Sequence, residues 1–474
     1  MVITALGPGK PSDFHNLHVH LMGIGGAGMS ALVPLLQRVG ARLSGCDLAD
    51  NEHTRRFRAA GLPVELGHGA EHLAAVDILV HTSAVSHQHV EIRAAQALGI
   101  PVLSRQACLA ALLSDRCTVA VAGSHGKTST TWMIGHLLAA AGFDPVVLVG
   151  GTVAALGSGA RMGDGDWAVV EVDESDGGFA HTQPAVAVVT NLEPEHLDHY
   201  GSFAALCATF ATWLGRMGPE QHLVLPAGDF PAAALRGVSA QQISVGLDAG
   251  MLQAREIVLG AEGSQCRVQV EGLDLGPMQV PIPGRHMITN ALMAVAAVIA
   301  VSGRRQVPLQ ALANSGRVAR RFTHHGVVDG VRVIEDYAHH PTEIRATLAA
   351  AALYGGRLQV LFQPHRYTRT RDLLPDFASC FDAAHALVVV PTYAASEEPL
   401  PGAGAEALAA AVADHRSDQA PALTQHSRQW SAAIAFLCAH AQDGDSILVL
   451  GAGDIGECLP QLLSALAQRK AEMQ

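Results

Sequence analysis

Lysine is almost missing from this chain. Only Lys10, Lys127 and Lys470 occur among 474 residues, and the remaining basic side chains are arginines. Charged residues make up 16%, with a formal net charge of −12, against the ~25% charged residues usual in soluble domains. Such a balance lacks the basic footprint that displaces counterions, which excludes a general nucleic-acid role and leaves local arginine clusters for small anions. The eight cysteines include no C-x-x-C pair, so they read as buried free thiols in a reducing compartment. The longest membrane-like stretch, Ala291 to Val301, falls short of the ~20 apolar residues that span a bilayer. The start of the chain has neither the charged segment nor the apolar block of a signal peptide. A cytoplasmic protein without a membrane or nucleic-acid partner is therefore expected. The length suits two to four domains of ~100–200 residues each, and 49% hydrophobic residues supply their cores.

The one lysine away from the termini sits in a distinctive place. An apolar run, Cys117 to Ala122, leads into Gly123-Ser124-His125-Gly126-Lys127-Thr128-Ser129, and a helical pattern starts near Thr128. Strand, glycine turn and helix together aim backbone N–H groups and the positive helix end at one point, where a lysine adds a full charge for phosphate oxygens. The Thr128 hydroxyl is then placed for Mg²⁺ as in a Walker loop, although the first glycine of that motif falls on Val121. An ordinary strand-to-helix turn is the plainer alternative.

A second glycine loop lies upstream. His18 to Met22 reads as a strand running into Gly23-Ile24-Gly25-Gly26-Ala27-Gly28, followed by a helix from about Met29 to Val39 and a strand from Arg42 to Cys46 that ends at Asp47. This is the arrangement in which glycines admit a pyrophosphate and an acid takes ribose hydroxyls. Strand and helix patterns then alternate to Leu113, and 114–116 reads as a linker.

Beyond the lysine loop, the strand candidates Trp167 to Val172 and Val186 to Thr190 carry polar tips: Glu171-Val-Asp173-Glu174-Ser175-Asp176, and Asn191-Leu-Glu193-Pro-Glu195-His196-Leu-Asp198. Ligands gather at strand carboxyl ends in open parallel sheets, so both tips are expected to converge on the lysine loop and to offer Mg²⁺ ligands. From Leu223 to about Pro283, short alternating strands with glycine turns predict an antiparallel insertion. A long helix opens at Pro283-Gly284-Arg285-His286, placing His286 and Asn290 one turn apart on a shared face. A third α/β unit follows, with strand ends at Asp336-Tyr337-Ala338-His339-His340 and Gln363-Pro364-His365-Arg366-Tyr367-Thr368-Arg369-Thr370-Arg371. An arginine cluster there is a natural receptor for carboxylate or phosphate. Adjacent His339 and His340 do not share a face and have no companion at ligand spacing, which argues against structural zinc. Gly451-Ala-Gly453-Asp454-Ile-Gly456 is read as a βα turn.

In order and wording these motifs resemble the Mur ligases of peptidoglycan synthesis: Gly23 to Ser30, Gly123 to Thr128, Asp173 to Asp176, Asn191 to Tyr200, Asp336 to Glu343 and Gln363 to Asp372. The resemblance runs from about Leu17 to Leu466. It implies an α/β protein of three domains: an N-terminal Rossmann-like domain (1–113) for a UDP-sugar, a central P-loop ATPase-type α/β domain with the antiparallel insertion (114–321), and a C-terminal Rossmann-like domain (322–474) completing the ATP and amino-acid sites. The implied activity joins L-alanine to the carboxylate of UDP-N-acetylmuramate, with ATP forming an acyl phosphate and Mg²⁺ as the metal. Carried over by motif, Lys127 neutralises the phosphates in transfer, Thr128 and Glu171 bind one Mg²⁺ and His196 a second. Residues Gly123 to Ser129, His286, Asn290, Arg321 and Asp336 fall on the ATP side. Gly23, Gly25, Gly26, Ala27, Gly28, Asp47, Ser83, Arg366 and Arg369 fall on the UDP-sugar side, and Tyr337 and His339 on the amino-acid side. Lys127, His196, Arg321, His339, Arg366 and Arg369 match catalytic positions.

Three departures stand out. The carbamylated lysine that several relatives place after the His196 motif is impossible here, because no lysine lies between Lys127 and Lys470. Met287 replaces the usual asparagine after the adenine-side histidine, and Gly178 replaces an expected serine. A sibling ligase that attaches a recycled tripeptide, a nicotinamide-dependent dehydrogenase and a non-catalytic nucleotide sensor remain open as other readings.

Overall fold

The computed structural model describes residues 9–472 except 83–84, 87, 175–176, 229, 416–420 and 422. Ser83, expected on the sugar side, lies outside the described residues. Three sheets organise the chain.

The first sheet contains β1 (His18–Met22), β2 (Arg42–Asp47), β3 (Val64–Leu66), β4 (Ile78–His81) and β5 (Val102–Ser104) in the order β3-β2-β1-β4-β5, all parallel. The order reverses between β1 and β4, so the crevice at their carboxyl ends is where such a sheet takes a ligand. The Gly23–Gly28 loop leaves β1 at that crevice.

The second sheet contains β6 (Cys117–Ala122), β7 (Val146–Val153), β8 (Ser158–Arg161), β9 (Trp167–Glu171), β10 (Val186–Val189), β11 (His222–Pro226), β12 (Gln241–Gly246), β13 (Leu252–Gly260), β14 (Gly263–Val270) and β15 (Leu273–Val280). Its order is β15-β14-β13-β12-β11-β10-β6-β9-β7-β8. β6 lies between β10 and β9 and is parallel to both, so the two polar tips flank the lysine loop as expected.

The expected antiparallel insertion needs a correction. β11 and β12 run parallel to β10, and β13 pairs parallel with β12. The reason is the connection: the 3-10 turn Ala232–Leu235 packs on helix Phe203–Leu214 and returns the chain for another parallel strand. Within this stretch β13, β14 and β15 are joined by two-residue turns, which permit antiparallel pairing alone.

The third sheet contains β16 (Thr323–Val328), β17 (Val331–Asp336), β18 (Leu358–Phe362), β19 (Ala386–Val389), β20 (Leu423–His426) and β21 (Ser446–Leu450), ordered β16-β17-β21-β18-β19-β20. Only β16 is antiparallel to its neighbour.

By compactness the chain forms two units, residues 1–255 with 267–278 and 289–318, and residues 256–266 with 279–288 and 319–474. In the first unit a continuous apolar core runs from Phe14 and Leu21 through Ala120 and Val170 to Trp213, which is why its two sheets group together. The second has its own core around Val333, Leu361 and Ile447. Helix Arg285–Ser302 is long and apolar enough by composition to resemble a membrane span. Residues Ala291 to Ala297 within it are nevertheless fully buried, the behaviour of a core helix.

An aromatic group supports the β9 and β10 tips. Trp213 is buried, meets Phe179 edge-to-face at 5.1 Å, and donates its indole N–H to Thr182 O at 3.1 Å. Trp213→Ala removes the ring and leaves a cavity, and is expected to cost about 3–5 kcal/mol; chemical denaturation of the full chain against wild type measures it.

Candidate active site

Lys127 begins helix Lys127–Ala140, directly after Gly126, whose backbone is left-handed (φ 79°). A side chain at 126 is opposed by that φ, and its Cβ would sit 2.8 Å from Asn290 Oδ1, which would have to move. Asn290 thus lies against the lysine loop. The loop crest is clamped from β10: His125 N–H donates to Asn191 Oδ1 at 2.8 Å, Asn191 Nδ2 donates to His125 O at 3.1 Å, and Thr190 Oγ1 to the same oxygen at 2.6 Å. Ser124 Oγ accepts from Glu193 N–H at 2.9 Å.

Lys127 Nζ donates to Gly123 O at 2.6 Å, to Ser124 O at 3.3 Å and to Glu174 Oε1 at 2.7 Å. Burial works against the ammonium, but the carboxylates of Glu174, Asp173 and Glu171 outweigh it and hold Lys127 above its ordinary range. For Glu174 the direction is also upward: burial dominates, Asp173 and Glu195 add to it, and Lys127 pulls the other way. Ligand atoms of Asp173, Glu174 and His196 lie within 4.8 Å of one another. Glu174 Oε2 is buried with no hydrogen-bond partner among the described residues. Carboxylate oxygens so gathered fit a hard divalent cation. His196 holds a left-handed backbone (φ 55°) at the start of helix Leu197–Tyr200, with Nε2 3.7 Å from Glu174 Oε1. Glu171 accepts from Gly150 N–H at 2.7 Å, and Thr128 is buried in the first helical turn. Glu174 is one of several acids in its motif, and only its burial beside Lys127 singles it out.

At the first glycine loop, Asp47 accepts from Gly25 N–H at 2.8 Å and from Ala49 N–H at 3.0 Å. The acid expected to meet ribose hydroxyls therefore also braces the loop. Arg105, not anticipated, lies 3.2 Å from where a Gly28 Cβ would sit. It lines a cavity of ≈ 330 Å³ together with Glu171, Asp173 and Phe179, so a guanidinium group and the acidic tip of β9 share one space.

The second unit gathers the remaining predicted residues. Arg320 and Arg321 each stand 5.0 Å from the centre of the Tyr337 ring, which meets His339 edge-to-face at 5.4 Å. Arg321 lies 4.0 Å from Glu343. Asp336 accepts from Phe322 N–H at 2.7 Å and Ala338 N–H at 2.8 Å, and burial raises its carboxyl to about 6 against the pull of Arg321. Arg366 has φ 70° and lies 3.7 Å from Glu397, which also accepts from Thr368 N–H at 3.0 Å. Arg369 donates to His365 O at 3.0 Å. His365 stacks on Tyr393 with 5.4 Å between centroids. Gly453 has the bland role expected of it: a Cβ there would lie 2.4 Å from Gln363 Oε1 and 2.6 Å from Tyr393, so close packing requires glycine. His286 shares a helix with Asn290, but the charges that act on it belong to Glu343 and Arg321, and burial lowers it to about 4.

Burial, helped by His339 and the nearby arginines, pushes His365 down to about 2. A histidine held neutral in the fold but free to protonate when unfolded costs stability as pH falls below about 6.5. His365→Gln is therefore expected to flatten the decline in the unfolding midpoint between pH 6.5 and 4, read as the difference between wild-type and variant melts.

Family models match along the chain: "Mur ligase family, catalytic domain" over residues 18–116, "Mur ligase middle domain" over 121–298, and "Mur ligase, glutamate ligase domain" over 320–453. A UDP-N-acetylmuramate–L-alanine ligase of Sorangium cellulosum is 41% identical over 460 residues, covering 95% of this chain and 96% of that protein. The UDP-N-acetylmuramate–alanine ligase structure of Thermotoga maritima superposes with a TM-score of 0.79 at 24% identity, covering 97% of this chain and all of the other. A murein peptide ligase structure of Psychrobacter arcticus gives 0.68 at 25% identity, covering 95% and 99%. With its lysine loop, flanking acidic strand ends and arginine-rich third sheet matched along nearly its whole length, the chain belongs to the Mur ligase family.

Proposed function

We propose that this protein joins L-alanine to UDP-N-acetylmuramate at the expense of ATP, in the cytoplasm, as a step of peptidoglycan precursor synthesis. The observation that carries the reading is the convergence of β9, β6 and β10 on Lys127, in a chain 41% identical over 460 residues to a ligase of that activity.

In this reaction a muramyl carboxylate oxygen attacks the γ-phosphorus of ATP and ADP leaves. The L-alanine amine then attacks the acyl-phosphate carbon, a tetrahedral species forms, and phosphate departs as the amine loses its proton. Such transfers ask the protein mainly for positioning and charge neutralisation. Lys127 supplies a fixed cation beside the loop N–H groups, and the hydrogen bonds of Asn191 hold that loop in shape. When bound, Mg²⁺ would supply further charge neutralisation; Thr128 and Glu171 are the proposed ligands of one ion and His196 of a second, with Asp173 and Glu174 beside His196. The Gly23–Gly28 loop, Asp47 and Arg105 are proposed for the UDP-sugar. Arg321, Asp336, His286 and Asn290 keep their ATP-side roles as proposals, and Tyr337, His339, Arg366 and Arg369 the amino-acid and sugar roles. The partition at 113/114 and 321/322 belongs to the same proposal.

Phosphate release from ATP tests the reading, with Mg²⁺, UDP-N-acetylmuramate and, in parallel, L-alanine, glycine, L-serine, the tripeptide or no amine. Release requiring both sugar and L-alanine is expected. Preference for the tripeptide would reassign the chain to the sibling activity, and no release with any amine despite ATP binding would overturn the ligase reading. Lys127→Ala should lower kcat by roughly 10²–10³-fold or more. Glu174→Gln should raise the Mg²⁺ concentration for half-maximal turnover by about tenfold or more, measured in the same assay.

A further inference from the structure

A face of the first sheet, away from the lysine loop, holds an unusual group of side chains. His20 comes from β1 and Cys46 from β2; His20 pairs in register with Ser44, so Ser44 and Cys46 alternate onto the same side as His20. His72 comes from the 3-10 helix Ala70–Leu73, and Glu91 from helix Val90–Ala97. His20, Cys46 and Glu91 are buried, and the side chain of His72 is 10% exposed. One donor atom from each of the four lies within 4.8 Å of the others. His20 Nε2 is 3.3 Å from Cys46 Sγ, Cys46 Sγ is 3.3 Å from Glu91 Oε1, and His72 Nδ1 is 2.7 Å from Glu91 Oε1.

We propose that His20, Cys46, His72 and Glu91 form a binding site for one divalent transition-metal ion of the zinc type, separate from the ATP–Mg²⁺ site.

Donor chemistry selects the metal class. Two imidazoles, a thiol and a carboxylate suit zinc and its neighbours, whereas Mg²⁺ and Ca²⁺ favour oxygen alone. Geometry agrees. Tetrahedral bonds of ~2.0–2.3 Å set donor atoms roughly 3.3–3.8 Å apart, so these atoms reach that spacing by small side-chain adjustments.

Charge supports the same conclusion. Glu91 is fully buried, and its described hydrogen-bond partners are Gly69 N–H, His68, His72 and Cys46, with no lysine or arginine among them. A buried carboxylate without a fixed cation is costly. A divalent ion bound to Glu91 and to the Cys46 thiolate, its proton released to solvent, makes the cluster neutral.

The surroundings are those of a supported metal site. His20 Nδ1 lies 2.8 Å from Ser44 Oγ, which in turn lies 2.8 Å from His18 Nε2; these contacts aim His20 Nε2 at the cluster. The adjoining apolar group is small, built on Met22, Leu73, Leu79, Ile92 and Ala95. An ion would tie four elements together where little core exists. Cys46 O also accepts from Gly23 N–H at 2.8 Å and Ile24 N–H at 3.1 Å, so a metal-fixed Cys46 would steady the start of the first glycine loop.

The test uses the full chain, stripped by chelator dialysis and titrated with Co²⁺. Saturation at about one equivalent, with tetrahedral visible bands, a near-ultraviolet thiolate-to-cobalt charge-transfer band and displacement by Zn²⁺, is the expected result. Cys46→Ser should abolish the charge-transfer band. His20→Phe and His72→Asn should weaken Zn²⁺ binding by at least about 100-fold in competition with a chromophoric chelator, while His196→Ala leaves it unchanged. Absence of the thiolate band in the wild type, which needs no variant to fold, overturns the proposal. So does its persistence in Cys46→Ser.

Discussion

A buried ammonium ion has to find its counter-charge inside the protein, and much of the central site follows from that need. Lys127 opens the helix that follows β6, with its side chain only 15% exposed, so water solvates it poorly and carboxylates make up the difference. β9 is the adjacent strand and ends at the same level, which is why Glu174 lies within hydrogen-bond reach. Without a nucleotide, Glu174 and the carbonyls of Gly123 and Ser124 satisfy the lysine. A polyphosphate entering the loop competes for the same ammonium with several oxygens at once. The ion pair keeps the charge ready and the loop shaped before any substrate arrives.

The third sheet solves a different electrostatic problem. Its arginines lie near one another, and like charges so placed need relief. Arg320 takes Glu335 at 2.9 Å and Gly451 O at 2.7 Å, Arg321 faces Glu343, and Arg366 faces Glu397. Tyr337 carries two guanidinium groups near its ring, a partial neutralisation by the quadrupole that leaves their N–H edges directed elsewhere. The left-handed backbone at Arg366 is consistent with strain kept where a side chain must be aimed.

Much of this was readable from the chain itself. Glycine loops after apolar runs announce strand ends, and strand ends in parallel sheets announce ligand positions, so the lysine loop, the acidic tips and the Arg366–Arg369 segment were visible before any coordinates. What escaped reading did so for physical reasons. β8, β16 and β20 are sheet edges, where one exposed side frees the sequence from apolar patterning; Thr323 to Val328 carries two histidines and a glycine. The parallel pairing of β11 and β12 depends on a packed 3-10 turn that no local pattern encodes. The His20–Cys46–His72–Glu91 group draws on four elements at irregular spacing, so no motif could reveal it. Asp47 showed the opposite limit: its position was legible, but its grip on Gly25 was not.

The contact between Gly126 and Asn290 reaches beyond geometry. Two positions far apart in the chain occupy one small volume, one without a side chain and the other with an amide laid across the gap. Neither can drift alone. Any bulk gained at 126 displaces the amide, and any larger residue at 290 presses on a backbone that only glycine adopts easily. The two sites therefore limit each other's size: a residue other than glycine at 126 needs both a left-handed backbone and a shift of the Asn290 amide, so a change at one is best tolerated with a compensating change at the other.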